Sequence, residues 1–134
     1  MSKYYTAVIF DLGDILITWP PSASTFLPAK TFKSIIRSAH WLEYEKGNNT
    51  EDKAYSLVAQ EFNVSFIDVK NSFEEARKSL HWQSNSRILE VIRELKESGL
   101  AIYTMSNVSG PDWQSISAAC TPEQWAFFNR TFIS

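Results

Sequence analysis

Two short polar clusters in this sequence can do chemistry. The first is Asp11, which follows the apolar run Ala7, Val8, Ile9 and Phe10. Such a run with β-branched residues reads as a strand buried on both faces of a parallel sheet. The carboxylate then sits at the strand's C-terminal end, where ligands bind in open α/β sheets. Gly13, two residues on, marks a sharp turn or a close approach of backbone to a ligand. An acid so placed can serve as nucleophile or metal ligand. An aspartate capping a turn has the same local signature. The second cluster is Ser106 and Asn107, which end the apolar stretch from Leu100 to Met105. If the two strands are neighbours, their C-terminal ends face one crevice. A carboxylate opposite a hydroxyl and free backbone N–H groups suits phosphoryl transfer. A divalent ion, magnesium foremost, would screen the two anions that otherwise repel.

The elements that must position these groups follow from the hydrophobic spacing. Residues 17–24 contain Pro20 and Pro21 and read as a linker. Phe32, Ile35, Ile36 and Ala39 then recur at helical spacing, and Trp41, Leu42 and Tyr44 continue to a stop at Gly47. Thr50 caps the next helix, with Glu51 and Asp52 in its first turn. Tyr55, Val58, Ala59 and Phe62 form its apolar face. Ser65 with Asp68 makes a capping box for a third helix, whose stripe is Val69, Phe73, Ala76 and Leu80. Its charges, Glu74, Glu75, Arg77 and Lys78, read as a solvated face. Residues 28–81 are thus a helical insert between two parts of one core.

The segment from His81 to Ser86 is polar and returns the chain to the core. Ile88, Val91, Ile92 and Leu95 predict an amphipathic helix ended by Gly99. After the second strand, Pro111 suits the start of a helix over 112–119. Thr121 opens a further turn, and residues 130–133 read as a third strand. Strand, insert, helix, strand, helix, strand is the order of a parallel α/β sheet with right-handed crossovers.

Composition narrows the functions. With 134 residues the sequence is one domain or part of a larger one, and 44% hydrophobic residues support a real core. The net charge of −2 gives no basic field for nucleic acid or anionic lipid. Cys120 is the sole cysteine, so no intrachain disulfide forms, and a reducing, cytoplasmic setting fits. There is no secretory signal and no apolar run long enough to span a membrane. His40 and His81 are not at ligand spacing.

The stretch from Phe10 to Leu16 resembles the first motif of the haloacid dehalogenase-like (HAD) hydrolases. The stretch from Thr104 to Asn107 resembles their second motif, and the insert stands where the family carries its C1 cap. Tyr44 to Gly47, followed by Thr50, Glu51 and Asp52, is similar to cap segments of the family's sugar-phosphate phosphatases. The resemblance implies a three-layer, Rossmann-like parallel-sheet core formed by residues 1–27 and 82–134, with residues 28–81 as the cap. It implies Asp11 as a nucleophile that becomes an aspartyl-phosphate, and Ser106 and Asn107 as phosphate ligands. It implies Mg2+ on the Asp11 carboxylate and the Gly13 carbonyl, and a small phosphorylated substrate with no nucleic-acid or membrane partner. Trp19, Trp41 and Tyr44 are candidate cap and pocket residues.

Two departures matter. The family's phosphatases usually carry an acid/base aspartate where this chain has Gly13, although some related glucose-phosphate phosphatases also have glycine there. Asp14, one residue on, should point elsewhere. The family also uses a lysine after its third core strand and an acidic pair after the fourth, whereas every lysine here precedes Ser106. The expectation is therefore an incomplete core, an N-terminal portion that is weakly active or inactive by itself. Alternatives are an isoprenoid-diphosphate phosphatase or terpene cyclase, since Trp41 to Tyr44 is similar to fungal drimane-type cyclases and their partner phosphatases. A 2-haloacid dehalogenase, which does not need the second acid, and a non-catalytic binding module complete the set.

Overall fold

A computed structural model describes residues 4–13, 15–18, 26–82 and 86–134. The core strands are β1 (Ala7–Asp11), β4 (Ala101–Ser106) and β5 (Arg130–Ile133), parallel and in the order β1-β4-β5. Asp11 pairs with Met105, and Ser106 with Ile133, so the C-terminal ends of all three strands share one edge. Two helices connect them: α5 (Ser86–Glu97) leads into β4, and α6 (Gly110–Ala119) leaves it. A single turn, α7 (Pro122–Trp125), precedes β5. Gly99 adopts φ +84° behind α5, and Leu100 donates back to the Leu95 carbonyl at 3.1 Å, so the predicted glycine stop is used.

The sheet has one covered face. Leu12, Ile102, Ile92 of α5 and Ile116 of α6 pack together in one cluster with Leu16 and Phe128. Strand alternation sends Ile9, Met105 and Phe132 to the other side, where they are 56%, 48% and 42% exposed. The expectation that β1 is buried on both faces is therefore corrected. The cause is topological. Each successive strand is added on the same side of β1, so right-handed crossovers put α5 and α6 on the same face. Among the described residues, one helical layer and the sheet of an incomplete three-layer core are formed.

The region between β1 and α5 holds four helices: α1 (Ala29–Ile36), α2 (Ala39–Glu45), α3 (Glu51–Phe62) and α4 (Phe66–Lys78). They enclose their own apolar cluster. Phe73, fully buried, lies 4.0 Å from Trp41 and 4.7 Å from Phe32 between ring centroids. The caps are those the sequence predicts. Thr50 Oγ1 accepts from the Lys53 amide at 3.3 Å, and Ser65 Oγ from the Asp68 amide at 3.0 Å. Gly47 takes φ +82°, its amide donating to the Tyr44 carbonyl and that of Asn48 to the Glu43 carbonyl, both at 2.9 Å.

Two segments differ from expectation. Ile17 and Thr18, read as linker, form β2; His81 and Trp82, read as a polar return, form β3. They pair antiparallel, Ile17 with Trp82 and Thr18 with His81. Ile17 and Trp82 are both buried in the core cluster. The chain thus enters and leaves the helical insert through one two-stranded ribbon. The pattern is too short for periodicity to show it. Among the described residues no helix is long and apolar enough to cross a membrane.

Candidate active site

Asp11 and Ser106 end adjacent parallel strands at the same edge of the sheet. The Leu12 amide donates to the Met105 carbonyl at 3.1 Å, which ties the chain just past Asp11 to β4. Asp11 is exposed, whereas Ser106 is buried on the covered side. Alternation gives Asp11 the face of Met105 and Ser106 the face of Thr104. A carboxylate from one face and a hydroxyl from the other meet only above the strand ends, where a bound group would lie between them. Asn107 is held there too: the Ser134 hydroxyl donates to its Oδ1, and the Ser134 amide donates to the Ser106 carbonyl at 3.1 Å.

The chain turns at Gly13 as predicted: the Leu16 and Ile17 amides both donate to the Leu12 carbonyl at 3.1 Å. The φ of Gly13 is outside the left-handed region, and a Cβ added there would meet no atom of the described residues within 4 Å. For magnesium, the Asp11 carboxylate and the Gly13 carbonyl are hard oxygen donors of the right kind. They fit the ion in part. Among the described residues no group of three or more His, Cys, Asp or Glu side chains converges to complete a site. Asp14 and Trp19 lie outside the described residues.

The loop after Asn107 meets the helical insert in a buried polar network. Arg77 of α4, read from sequence as a solvated charge, is largely buried. Its Nε donates to Asp112 Oδ1 at 2.8 Å, and its Nη2 donates to Glu51 Oε1. Burial pulls the guanidinium pKa down, and the Asp112 carboxylate more than offsets this, leaving it above its usual value. Glu51 also accepts from the Tyr55 hydroxyl. On the other side Ser109 Oγ donates to Asp112 Oδ2 at 2.8 Å and accepts from the Asp112 amide at 3.2 Å, capping α6. By position Asp112 is an acid in the first turn of α6. No periodicity shows that its partner comes from 35 residues away.

Tyr44 lies beside this network, 5% exposed, its buried hydroxyl near that of Ser109 and without a well-formed hydrogen bond among the described residues. Burial pushes its phenol pKa up; the Ser109 hydroxyl opposes this, and the Glu51 and Asp112 carboxylates add to it. Tyr44, Glu45, Asn49, Glu51, Val108 and Ser109 line an open pocket of about 380 Å³ between the turn after α2 and the loop after Asn107. Burial also raises the Glu45 carboxyl, opposed by the hydrogen bond from Trp41 Nε1. Trp41 itself is 2% exposed and belongs to the aromatic core of the insert. His40 is paired at 3.9 Å with Glu61 on the surface.

Cys120 is buried in the core cluster, and burial pushes its thiol up to about 11. A protonated thiol is a poor nucleophile. The folded pKa exceeds the ordinary value, so the fold retains a proton that the unfolded chain releases. Stability from this group is full below about pH 9 and falls as pH rises toward 11. Between pH 8 and 11 the parent chain should lose about 2 kcal/mol more than Cys120→Ala in denaturation curves, beyond what the raised tyrosine phenols cost both. A parent curve no steeper than that of the variant would contradict it.

Comparison with known proteins agrees with this geometry. The chain is 35% identical over 129 residues to drimenol cyclase drtB of Aspergillus calidoustus, covering 96% of this chain and 24% of the cyclase. It is 28% identical over its whole length to sesquiterpene phosphatase astK of Aspergillus oryzae, covering 66% of that protein. The chain thus spans a quarter to two thirds of these curated relatives. No protein-family profile matches. Among solved structures, a dehalogenase superposes with a TM-score of 0.64 at 15% identity, over 99% of this chain and 64% of its own. A HAD-family enzyme of Bacteroides thetaiotaomicron, solved with magnesium and inorganic phosphate, superposes with a TM-score of 0.57 at 17% identity, over 96% of this chain and 67% of its own. Strand order, strand-end residues and structural likeness together give this chain a partial haloacid dehalogenase-like fold.

Proposed function

We propose that this chain supplies the nucleophile and first phosphate-binding loop of a magnesium-dependent phosphohydrolase. The observation that carries the reading is the ending of two adjacent parallel strands in Asp11 and Ser106 at one edge. The Asp11 carboxylate attacks phosphorus, forming an acyl phosphate as the bond to the leaving oxygen breaks. The Ser106 hydroxyl and the amide of Asn107 hold non-bridging oxygens while this happens. Water then attacks the acyl phosphate, releasing inorganic phosphate and regenerating the carboxylate. Magnesium, held by the Asp11 carboxylate and the Gly13 carbonyl, would neutralise charge between the carboxylate and the phosphoryl group. Residues 28–81 serve as a cap, and Tyr44, its hydroxyl buried near Ser109, lines the pocket between the cap and the loop after Asn107. Trp41 supports Tyr44 from within the cap, at 4.8 Å between ring centroids. Trp19, close in sequence to Asp11, is proposed as a further pocket residue. The compartment proposed is the cytoplasm.

The relatives favour one substrate class. Both are named for terpenoid chemistry, one a drimenol cyclase and the other a sesquiterpene phosphatase. A phosphorylated sesquiterpenoid therefore heads the candidates, ahead of sugar phosphates. The test is release of inorganic phosphate from farnesyl monophosphate, farnesyl diphosphate and glucose phosphates with magnesium. It should use the 134-residue chain and the reading frame extended as far as it runs. The extended protein is expected to prefer the farnesyl esters, and the 134-residue chain to be slow. Hydrolysis of neither class by the extended protein would refute the phosphohydrolase reading.

A further inference from the structure

The α6 N-terminus is unusual in where its acid finds a cation. A serine cap alone satisfies a helix start, and an acid in the first turn ordinarily stays in water. Here Asp112 is 5% exposed, and a carboxylate buried to that degree needs a charged partner. The guanidinium on its Oδ1 comes from Arg77 of α4, across the junction between insert and core. The other carboxylate oxygen accepts from Ser109, two residues after Asn107. Glu51 of α3 holds the far side of the same guanidinium. A continuous run of charge-assisted bonds therefore links the start of α3, the end of α4 and the loop that follows Ser106.

We propose that Arg77 is a positioning residue that sets the loop Asn107 to Ser109 through Asp112. When the insert is seated on α6, the guanidinium fixes the Asp112 carboxylate. That carboxylate fixes the Ser109 hydroxyl, and the backbone after Ser106 is held in one course. When the insert lifts, Asp112 loses its cation and the loop loosens. Seating of the insert is thereby coupled to the order of the loop assigned above to phosphate. The coupling rests on that assignment only for its catalytic consequence, not for its geometry.

The test is amide hydrogen exchange, which needs no turnover, read beside the affinity for orthovanadate in the presence of magnesium. Arg77→Met keeps the aliphatic stem and removes the charge. In it the amides of Asp112 and Trp113, which donate to the Ser109 hydroxyl at 3.2 Å and to its carbonyl at 2.9 Å, should exchange at least about tenfold faster, while those of β4 and the Phe73 region stay protected. If burying an unpaired Asp112 unfolds that variant, Arg77→Met with Asp112→Asn removes both charges and should still loosen the loop. Arg77→Lys keeps the charge without the two-pronged geometry and should restore protection in part. Unchanged exchange at 112 and 113 in the double variant would overturn the proposal, as would equal acceleration throughout insert and core. A loosened loop with unchanged vanadate affinity would uphold the positioning role and remove the phosphate assignment instead.

Discussion

Asp11→Asn is expected to lower kcat for phosphate release at least about a thousandfold in the extended protein, with little change in stability. Loss of a covalent nucleophile removes the reaction path itself, and effects of this size or larger are usual for such groups. Asparagine has nearly the same shape and is a far weaker nucleophile. Asp11 is exposed at the strand end, so the exchange leaves the core untouched, and its cost to folding should stay within about 0.5 kcal/mol. Steady-state kinetics beside a denaturant melt separates the two quantities. A melt that falls together with activity would mean that Asp11 acts structurally. Full activity in a stable variant would remove it from the chemistry.

Gly13→Asp is expected to raise turnover of phosphate esters by about a hundredfold, within the range of general acid–base catalysis. The physical ground is the room at Gly13: its φ lies outside the left-handed region, and an added Cβ meets no atom of the described residues within 4 Å. An aspartate there would stand two residues beyond the nucleophile, as in the phosphatases that the Phe10–Leu16 stretch resembles. It can protonate the leaving oxygen and later take a proton from the attacking water. Poor leaving groups should gain most, because they depend most on the proton. Comparing alkyl with nitrophenyl phosphate esters checks this. Equal gains for both, or no gain in a variant that melts like the parent, would show that a side chain at position 13 does not reach the reacting oxygen.

Much of this architecture was legible before any coordinates. The strands at Asp11 and Ser106, the caps at Thr50 and Ser65, and the glycine stops at Gly47 and Gly99 rest on local signals that tertiary structure left alone. What failed was non-local. The run from Ala7 to Phe10 looks doubly buried because apolar content does not say which crossovers cover a sheet, and Ile9 turned out exposed. The two-residue strands at Ile17 and His81 carry no periodicity and exist only because the insert begins and ends there. Arg77 was read as solvated because its neighbours Glu75 and Lys78 are charged. Its burial follows from α4 packing against α6, a contact invisible in the α4 sequence. The turn signalled by Gly13 is present, closed by the Leu16 and Ile17 amides on the Leu12 carbonyl, although the glycine itself keeps φ outside the left-handed region.

The central claim is that Asp11 takes up the phosphoryl group at the edge it shares with Ser106. The most direct measurement is acid quenching of the extended protein during turnover of a phosphate ester with magnesium, followed by peptide mass spectrometry. The account predicts a base-labile phosphoryl adduct on Asp11, absent from Asp11→Asn and diminished in Ser106→Ala. Turnover with an adduct on a different residue, or an adduct that persists in Asp11→Asn, would contradict it.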